Sequence, residues 1–129
     1  MATIKSYTDI EQSKKLAEIL PIESADMMYH SVETEYGSGA FVAISKVITN
    51  GLKNDDFYVD DIPCWSLTAL IDVLPSGYVI VKNYHSFYYV ESRDHKKSTN
   101  IFNNPIDACV DMIIKLNELN LLKKQVIEL

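Results

Sequence analysis

Residues 78–91 read YVIVKNYHSFYYVE, and the predicted architecture is built around this segment. Two runs rich in β-branched and aromatic residues, Tyr78–Lys82 and Ser86–Glu91, flank the polar residues Asn83-Tyr84-His85. Such runs are typical of strands, and the residues between them are typical of a turn. The segment therefore predicts an antiparallel hairpin with strands of alternating orientation.

Helical patterns lie on both sides of this hairpin. Residues 62–74 carry apolar side chains at helical spacing, and Pro75 ends the pattern because the residue before a proline avoids the α region. After the hairpin, residues 92–103 are predicted to form a polar loop. A further helix is predicted from Asn104, a good capping residue, with Pro105 in the first position. Its apolar stripe consists of Ile106, Cys109, Val110, Ile113, Leu116 and Leu119.

The first half of the chain predicts a helix followed by a second hairpin. Thr8 and Glu11 have the spacing of a capping box, which predicts a helix that begins at Thr8 and ends before Pro21. Aromatic and β-branched residues then predict a strand from Ala40 to Ile48, paired with the segment near Met27–His30. Residues 50–56 are predicted as turns, and Phe57-Tyr58-Val59 as a short strand.

This order of elements predicts an α+β fold. We expect one antiparallel sheet of about four strands with helices packed on one face. Leu16–Pro21 resembles Leu70–Pro75, and each precedes a predicted hairpin, which suggests an α-β-β duplication plus a C-terminal helix. The length of 129 residues fits a single domain over 1–129. The conformation of 121–129 is left open between a helical extension and a separate segment.

Charge and composition exclude several classes of protein. The net charge is −6, and residues 1–72 hold twelve of the 18 acidic residues against five lysines. Nucleic-acid binders are usually basic, so nucleic acid is an unlikely partner and a basic protein surface is a better one. A weaker alternative is nucleic-acid binding through the loop 93–97, which carries Arg93, Lys96 and Lys97. No apolar run is long enough for a membrane span, which predicts no membrane association.

Three blocks of the sequence carry a family resemblance. They are TDIEQSKKLAEILP at 8–21, IPCWSLTALIDVLP at 62–75 and NPIDACVDMI at 104–113. The chain resembles a group of small uncharacterised bacterial proteins of gut anaerobes and their phages or other mobile elements. That resemblance implies a small intracellular accessory protein and brings no activity with it. The first residues show no export signal, so a cytoplasmic location with reduced cysteines is expected.

Cys64 is the candidate nucleophile of the sequence. It precedes a predicted helix, whose dipole would favour a thiolate, and His85 or His30 would be its base. The competing interpretation is a small buried hydrophobic residue, which also fits Cys109. The carboxylates between Asp55 and Asp61 lack the spacing of a calcium loop, and the three histidines lack a metal-ligand spacing. No metal or cofactor is therefore expected.

The aromatic residues of the 78–91 hairpin form the other candidate site. Successive strand residues point to opposite faces, so Tyr88 and Tyr89 do not enter one core together. Exposed aromatic patches often mark interfaces, while the alternative is rings that pack on the core with solvated hydroxyls. We expect a non-enzymatic protein that binds another protein or self-associates through this face. The alternative is a small enzyme with a thiol or carboxylate site around Cys64. The candidate interface residues are Tyr78, Tyr84, Phe87, Tyr88 and Tyr89.

Overall fold

The computed structural model describes residues 5–34, 37–45 and 62–122. These residues form an α+β fold of helices and antiparallel strands, with a 3-10 turn at Ile22–Ser24. The predicted strand Phe57–Val59, the turns at 50–56 and residues 123–129 lie outside the described residues. In chain order the elements are α1 (Ile10–Ala17), β1 (Met27–Thr34), β2 (Gly37–Ser45), β3 (Ile62–Cys64), α2 (Leu67–Val73), β4 (Tyr78–Lys82), β5 (Tyr88–Ser92) and α3 (Pro105–Glu118).

The strands are divided between two sheets, so the expected single sheet of about four strands is wrong. One sheet has the order β2-β1-β3 and the other has the order β4-β5, and all pairs are antiparallel. The hairpins β1–β2 and β4–β5 do not pair with each other, and another segment lies along one edge of each. β3 pairs with β1 at Met27–Tyr29, and residues 98–102 run beside β5. β3 also intervenes between the two halves of the suggested α-β-β duplication.

The residues before α2 form a strand, where the sequence predicted helix from Ile62. Pro63 disfavours α geometry at Ile62, and an edge strand tolerates a proline. The helix begins after Ser66, whose Oγ accepts a hydrogen bond from Ala69 N–H. Asp26 fixes this start because its carboxylate accepts hydrogen bonds from both Ser66 N–H and Ser66 Oγ. α2 ends at Val73, as Pro75 predicted.

The first helix is capped one residue later than predicted. Asp9 and Gln12 form the capping box, each side chain accepting from the other's backbone N–H. Thr8 is fully buried instead, where its Oγ lies 2.7 Å from Ser13 Oγ and accepts from Trp65 N–H. The hydroxyl of Thr8 is therefore used to join the first helix to the β3–α2 segment.

α3 is the centre of the hydrophobic core. Asn104 caps it and Pro105 opens it, as predicted, and one of its faces is fully buried against β5 and α2. Trp65, Leu70 and Val90 are fully buried in the same cluster. Leu119 was predicted on the buried stripe but is 54% exposed, because the helix ends at Glu118. Within the described residues, no helix is long and apolar enough to cross a membrane.

Candidate functional site

The hairpin β4–β5 has one face toward the core and one face away from it. Tyr78, Ile80, Tyr88 and Val90 belong to the core or pack against it. Side chains alternate along a strand, so Val79, Val81 and Tyr89 lie on the opposite side. Val81 pairs with Tyr89 across the hairpin. We call Val79, Val81, Tyr89 and the neighbouring Tyr84 of the turn the outer face.

The five predicted interface residues are divided between the two sides. Tyr78 and Tyr88 are partly buried and pack against the core. Tyr89 lies on the outer face, and Tyr84 is fully exposed in the turn. Phe87 is 38% exposed at the end of the turn. Tyr78 and Tyr88 thus pack against the core, whereas Tyr84, Phe87 and Tyr89 are not among the residues that pack against it.

A shallow concavity lies at the turn end of the outer face. Its volume is about 420 Å³, and it is lined by Val81, Lys82, Asn83, Tyr84 and Tyr89. The ammonium group of Lys82 also lies 5.7 Å from the ring centroid of Tyr88. An apolar base with an amide at its rim can accept a side chain that is apolar in part and polar at its tip.

The turn is held by its own hydrogen bonds, which present Tyr84 to solvent. Asn83 Oδ1 accepts from the backbone N–H groups of His85 and Phe87, at 2.9 and 3.1 Å. The Asn83 N–H donates to Phe87 O. Ser86 has φ 64°, a left-handed conformation that closes the turn. Tyr84 is therefore exposed on an ordered turn, which reduces the entropy lost when the ring makes a contact.

Cys64 is sealed in the interior rather than placed in a pocket. It is fully buried, its thiol donates to Thr8 O at 3.5 Å, and Thr8 Oγ lies 3.6 Å from Sγ. Burial raises the pKa of the Cys64 thiol, although hydrogen bonds from Thr8 and Ser13 oppose this effect. The thiol therefore stays protonated at neutral pH. Burial likewise raises the pKa of Cys109, to about 12.

The structure does not pair Cys64 with the proposed base His85. His85 is exposed in the turn between β4 and β5, whereas Cys64 lies on β3 in the other sheet. In the part of the chain that the structure describes, no hydrogen bond or ion pair joins them. The side chain of His30 lies outside the described residues.

A polar cluster that the sequence did not reveal joins the start of α1 to the start of α3. Lys5 Nζ lies 2.8 Å from Asp107 Oδ1 and 3.1 Å from Asp9 Oδ2. Gln12 and Asn104 also donate hydrogen bonds to Asp107, at 2.8 Å each. Partial burial disfavours the charged carboxylate, but these hydrogen bonds and the Lys5 charge outweigh it and lower the pKa of Asp107. Each group in this cluster is satisfied, so its role is to hold α1 against α3.

The loop 93–97 is a tight, internally bonded turn. Asp94 accepts hydrogen bonds from Ser92 Oγ and Lys96 N–H, which lower the pKa of its carboxyl. His95 Nδ1 lies 3.3 Å from Glu91 Oε1. The two carboxylates therefore lie among the bases of the predicted nucleic-acid site and weaken its positive field.

The described residues contain no candidate metal site. Among the side chains described within 5–34, 37–45 and 62–122, no group of three or more His, Cys, Asp or Glu residues could hold a metal ion. The acidic segment between Asp55 and Asp61 lies outside these ranges. Comparison with known proteins gives no relative: no protein-family model, no curated protein and no solved structure matches the chain.

Proposed function

We propose that this chain is a non-enzymatic protein-binding module whose binding surface is the outer face of hairpin β4–β5. The observation that carries the proposal is the position of Tyr84 and Tyr89. Both rings lie beside the concavity at the turn, and Tyr84 is fully exposed. Tyrosine is enriched in binding surfaces because a large rigid ring gives contact area at a small entropic cost.

The chemistry of the surface favours a protein partner. Val81 and Tyr89 supply an apolar base, and Asn83 lies at the rim. Such a surface complements a segment with an apolar side chain next to a polar one. The resemblance to small accessory proteins of gut anaerobes and mobile elements agrees with this role and with a cytoplasmic location, and both remain proposals.

The enzyme interpretation is weaker on the geometry. A thiol nucleophile needs an accessible sulfur, a lowered pKa and a base within hydrogen-bond distance. Cys64 has a fully buried sulfur and a raised pKa, and its hydrogen bonds go to Thr8. These features support a structural role for Cys64.

Site-specific photocrosslinking tests the proposal. A benzophenone side chain at position 84 samples the outer face, and the same group at position 117 is the control, because Asn117 is exposed on α3. In cells that make the protein, we expect an adduct of defined mass from position 84 and none from position 117. Equal labelling from both positions, or no adduct from position 84, would overturn the proposal.

A further inference from the structure

In the part of the chain that the structure describes, one edge of hairpin β4–β5 makes no backbone hydrogen bonds to another segment. Asn83 N–H donates to Phe87 O, and Arg93 N–H donates to Gly77 O. In an antiparallel pair, residues whose backbone groups bond to the partner strand alternate with residues whose backbone groups point away from it. Gly77 and Asn83 bond to the partner strand, and they fix the alternation for the residues between them. Val79 and Val81 therefore direct their backbone groups toward β5. Those of Tyr78, Ile80 and Lys82 point away from it.

The corresponding edge of β5 is occupied. Tyr88 and Phe102 exchange both backbone hydrogen bonds, at 2.7 and 2.8 Å, and Thr99 N–H donates to Val90 O. On the β4 side, no hydrogen bond within the described part of the chain reaches the outward backbone groups of Tyr78, Ile80 or Lys82. Among the described residues, the hairpin thus has one edge that another segment pairs with and one edge that none pairs with.

β4 carries few of the features that protect exposed edges from pairing. Monomeric proteins block such edges with prolines, bulges or charges within the strand. Residues 78–82 contain no proline, their pairing with β5 shows no register shift, and the one charge, Lys82, is at the end of the strand. The middle of the strand, Val79-Ile80-Val81, is entirely apolar.

We propose that β4 pairs with β4 of a second copy of this chain, antiparallel about a two-fold axis at Ile80. Ile80 then faces Ile80 of the second copy, and Tyr78 faces Lys82 of the second copy. Each facing pair exchanges both backbone hydrogen bonds, about six in all. The result is a four-stranded sheet of the order β5-β4-β4-β5 with two-fold symmetry, the commonest arrangement of homo-oligomers.

Charge favours a second copy in this register. The two Lys82 side chains lie at opposite ends of the strand pair, roughly 14 Å apart, which is beyond the screening length at physiological salt. Each Lys82 lies opposite an aromatic ring, Tyr78 of the second copy, and it already lies over the ring of Tyr88 in its own chain. A parallel pairing would place the lysines side by side. In the antiparallel register, two copies of β4 therefore pair without placing like charges opposite each other.

The dimer goes beyond the proposed function and does not depend on what the outer face binds. Pairing uses the edge of β4, whereas Tyr84 and Tyr89 stay uncovered. A chain that is monomeric but crosslinks through position 84 overturns the dimer alone. A dimer that gives no adduct from position 84 overturns the proposed function alone.

Light scattering after size-exclusion chromatography is the first test. We expect the mass to rise from monomer to dimer between about 10 μM and about 1 mM, the range for small interfaces. Lys82→Pro removes a backbone N–H that points away from β5, so no β4–β5 hydrogen bond is lost. Because each copy carries the substitution, the dimer loses two hydrogen bonds between the copies. We expect it to raise the dissociation constant about tenfold or more, while Lys82→Ala keeps the donor and the dimer. A wild-type chain that stays monomeric at about 1 mM overturns the proposal.

Disulfide formation tests the register and does not require the proline variant to fold. Val79 faces Val81 of the second copy in a pair without backbone hydrogen bonds, with Cα atoms about 4.5 Å apart, within disulfide range. A mixture of Val79→Cys and Val81→Cys chains is expected to form a mixed disulfide dimer on mild oxidation. Val79→Cys alone should form far less, and the buried Cys64 and Cys109 should not contribute. Equal crosslinking of Val79→Cys with itself would overturn this register.

Discussion

Val81 and Tyr89 face each other across hairpin β4–β5, and both side chains lie on the side opposite the core. This pair gives the candidate binding surface its apolar base. Tyr88, the next residue, packs against the core instead. Two adjacent tyrosines thus have different roles, which one comparison of variants can separate.

Tyr88→Ser and Tyr89→Ser are expected to differ in stability. Tyr88 loses contacts with the core, so its replacement should lower the free energy of unfolding by about 2 kcal/mol. Tyr89 lies outside the core cluster, and its replacement should cost less than about 1 kcal/mol. Urea unfolding followed by circular dichroism measures both values. A larger loss for Tyr89→Ser would mean that the faces of the hairpin are assigned the wrong way round.

Asp107 should make stability depend on pH in the acid range. Its pKa is lowered in the folded chain, so its ionisation stabilises the fold above the unfolded pKa, about 3.9. That contribution is lost as the pH falls through the lower folded value. We expect Asp107→Asn to lower the free energy of unfolding at pH 7. The further decrease in that free energy on acidification should be smaller in the variant than in the parent chain. Urea unfolding at pH 7 and at low pH measures both effects.

Asp9→Asn is the matched control for the Asp107 variant. Asp9 also contacts Lys5, but it is half exposed, and asparagine is as good a helix cap as aspartate. Its replacement should lower the free energy of unfolding at pH 7 less than Asp107→Asn does. Equal effects of the two substitutions would show that the Lys5–Asp107 contact is not the stabilising one.

The two cysteines should be unreactive in the folded chain. Both are fully buried and both have raised pKa values, so little thiolate is present at neutral pH. Iodoacetamide at pH 7 should label neither thiol natively and both in denaturant, as read by mass spectrometry. Rapid native labelling of Cys64 would restore the enzyme interpretation.

Thr8→Val should destabilise the fold more than its small change in shape suggests. The buried hydroxyl accepts from Trp65 N–H and contacts Ser13 Oγ, and valine would leave these groups without a partner. We expect a loss of about 1–3 kcal/mol, and a much smaller loss for Thr8→Ser. Thermal unfolding of both variants measures the difference. Equal losses would assign the effect to packing rather than to the hydroxyl.

Local signals explain the parts of the fold that the sequence predicted. The Asn104-Pro105 start of α3 and the alternation of residues 78–91 are each contained in a few consecutive residues. The division into two sheets depends on contacts between distant residues. Cys64 pairs with Met27, and Asp26 fixes the start of α2 at Ser66. No short-range pattern encodes these contacts, so Ile62–Cys64 was predicted as helix.

The candidate site was predictable only in part for the same reason. Alternation alone places Tyr88 and Tyr89 on opposite faces. Which of them is buried depends on the side from which α3 packs on β5, and the hairpin sequence does not contain that information. Tyr84 is left exposed by the hydrogen bonds of Asn83, a turn geometry that the residues 83–85 indicate only in outline.

The most direct measurement of the central claim is the yield of photocrosslinked adduct from position 84 with and without Tyr89→Ser. If the outer face binds a protein, the adduct should form in the parent chain and fall about tenfold or more in the variant, which stays folded. An adduct whose yield does not change when Tyr89 is replaced would contradict the assignment of the outer face as the binding surface.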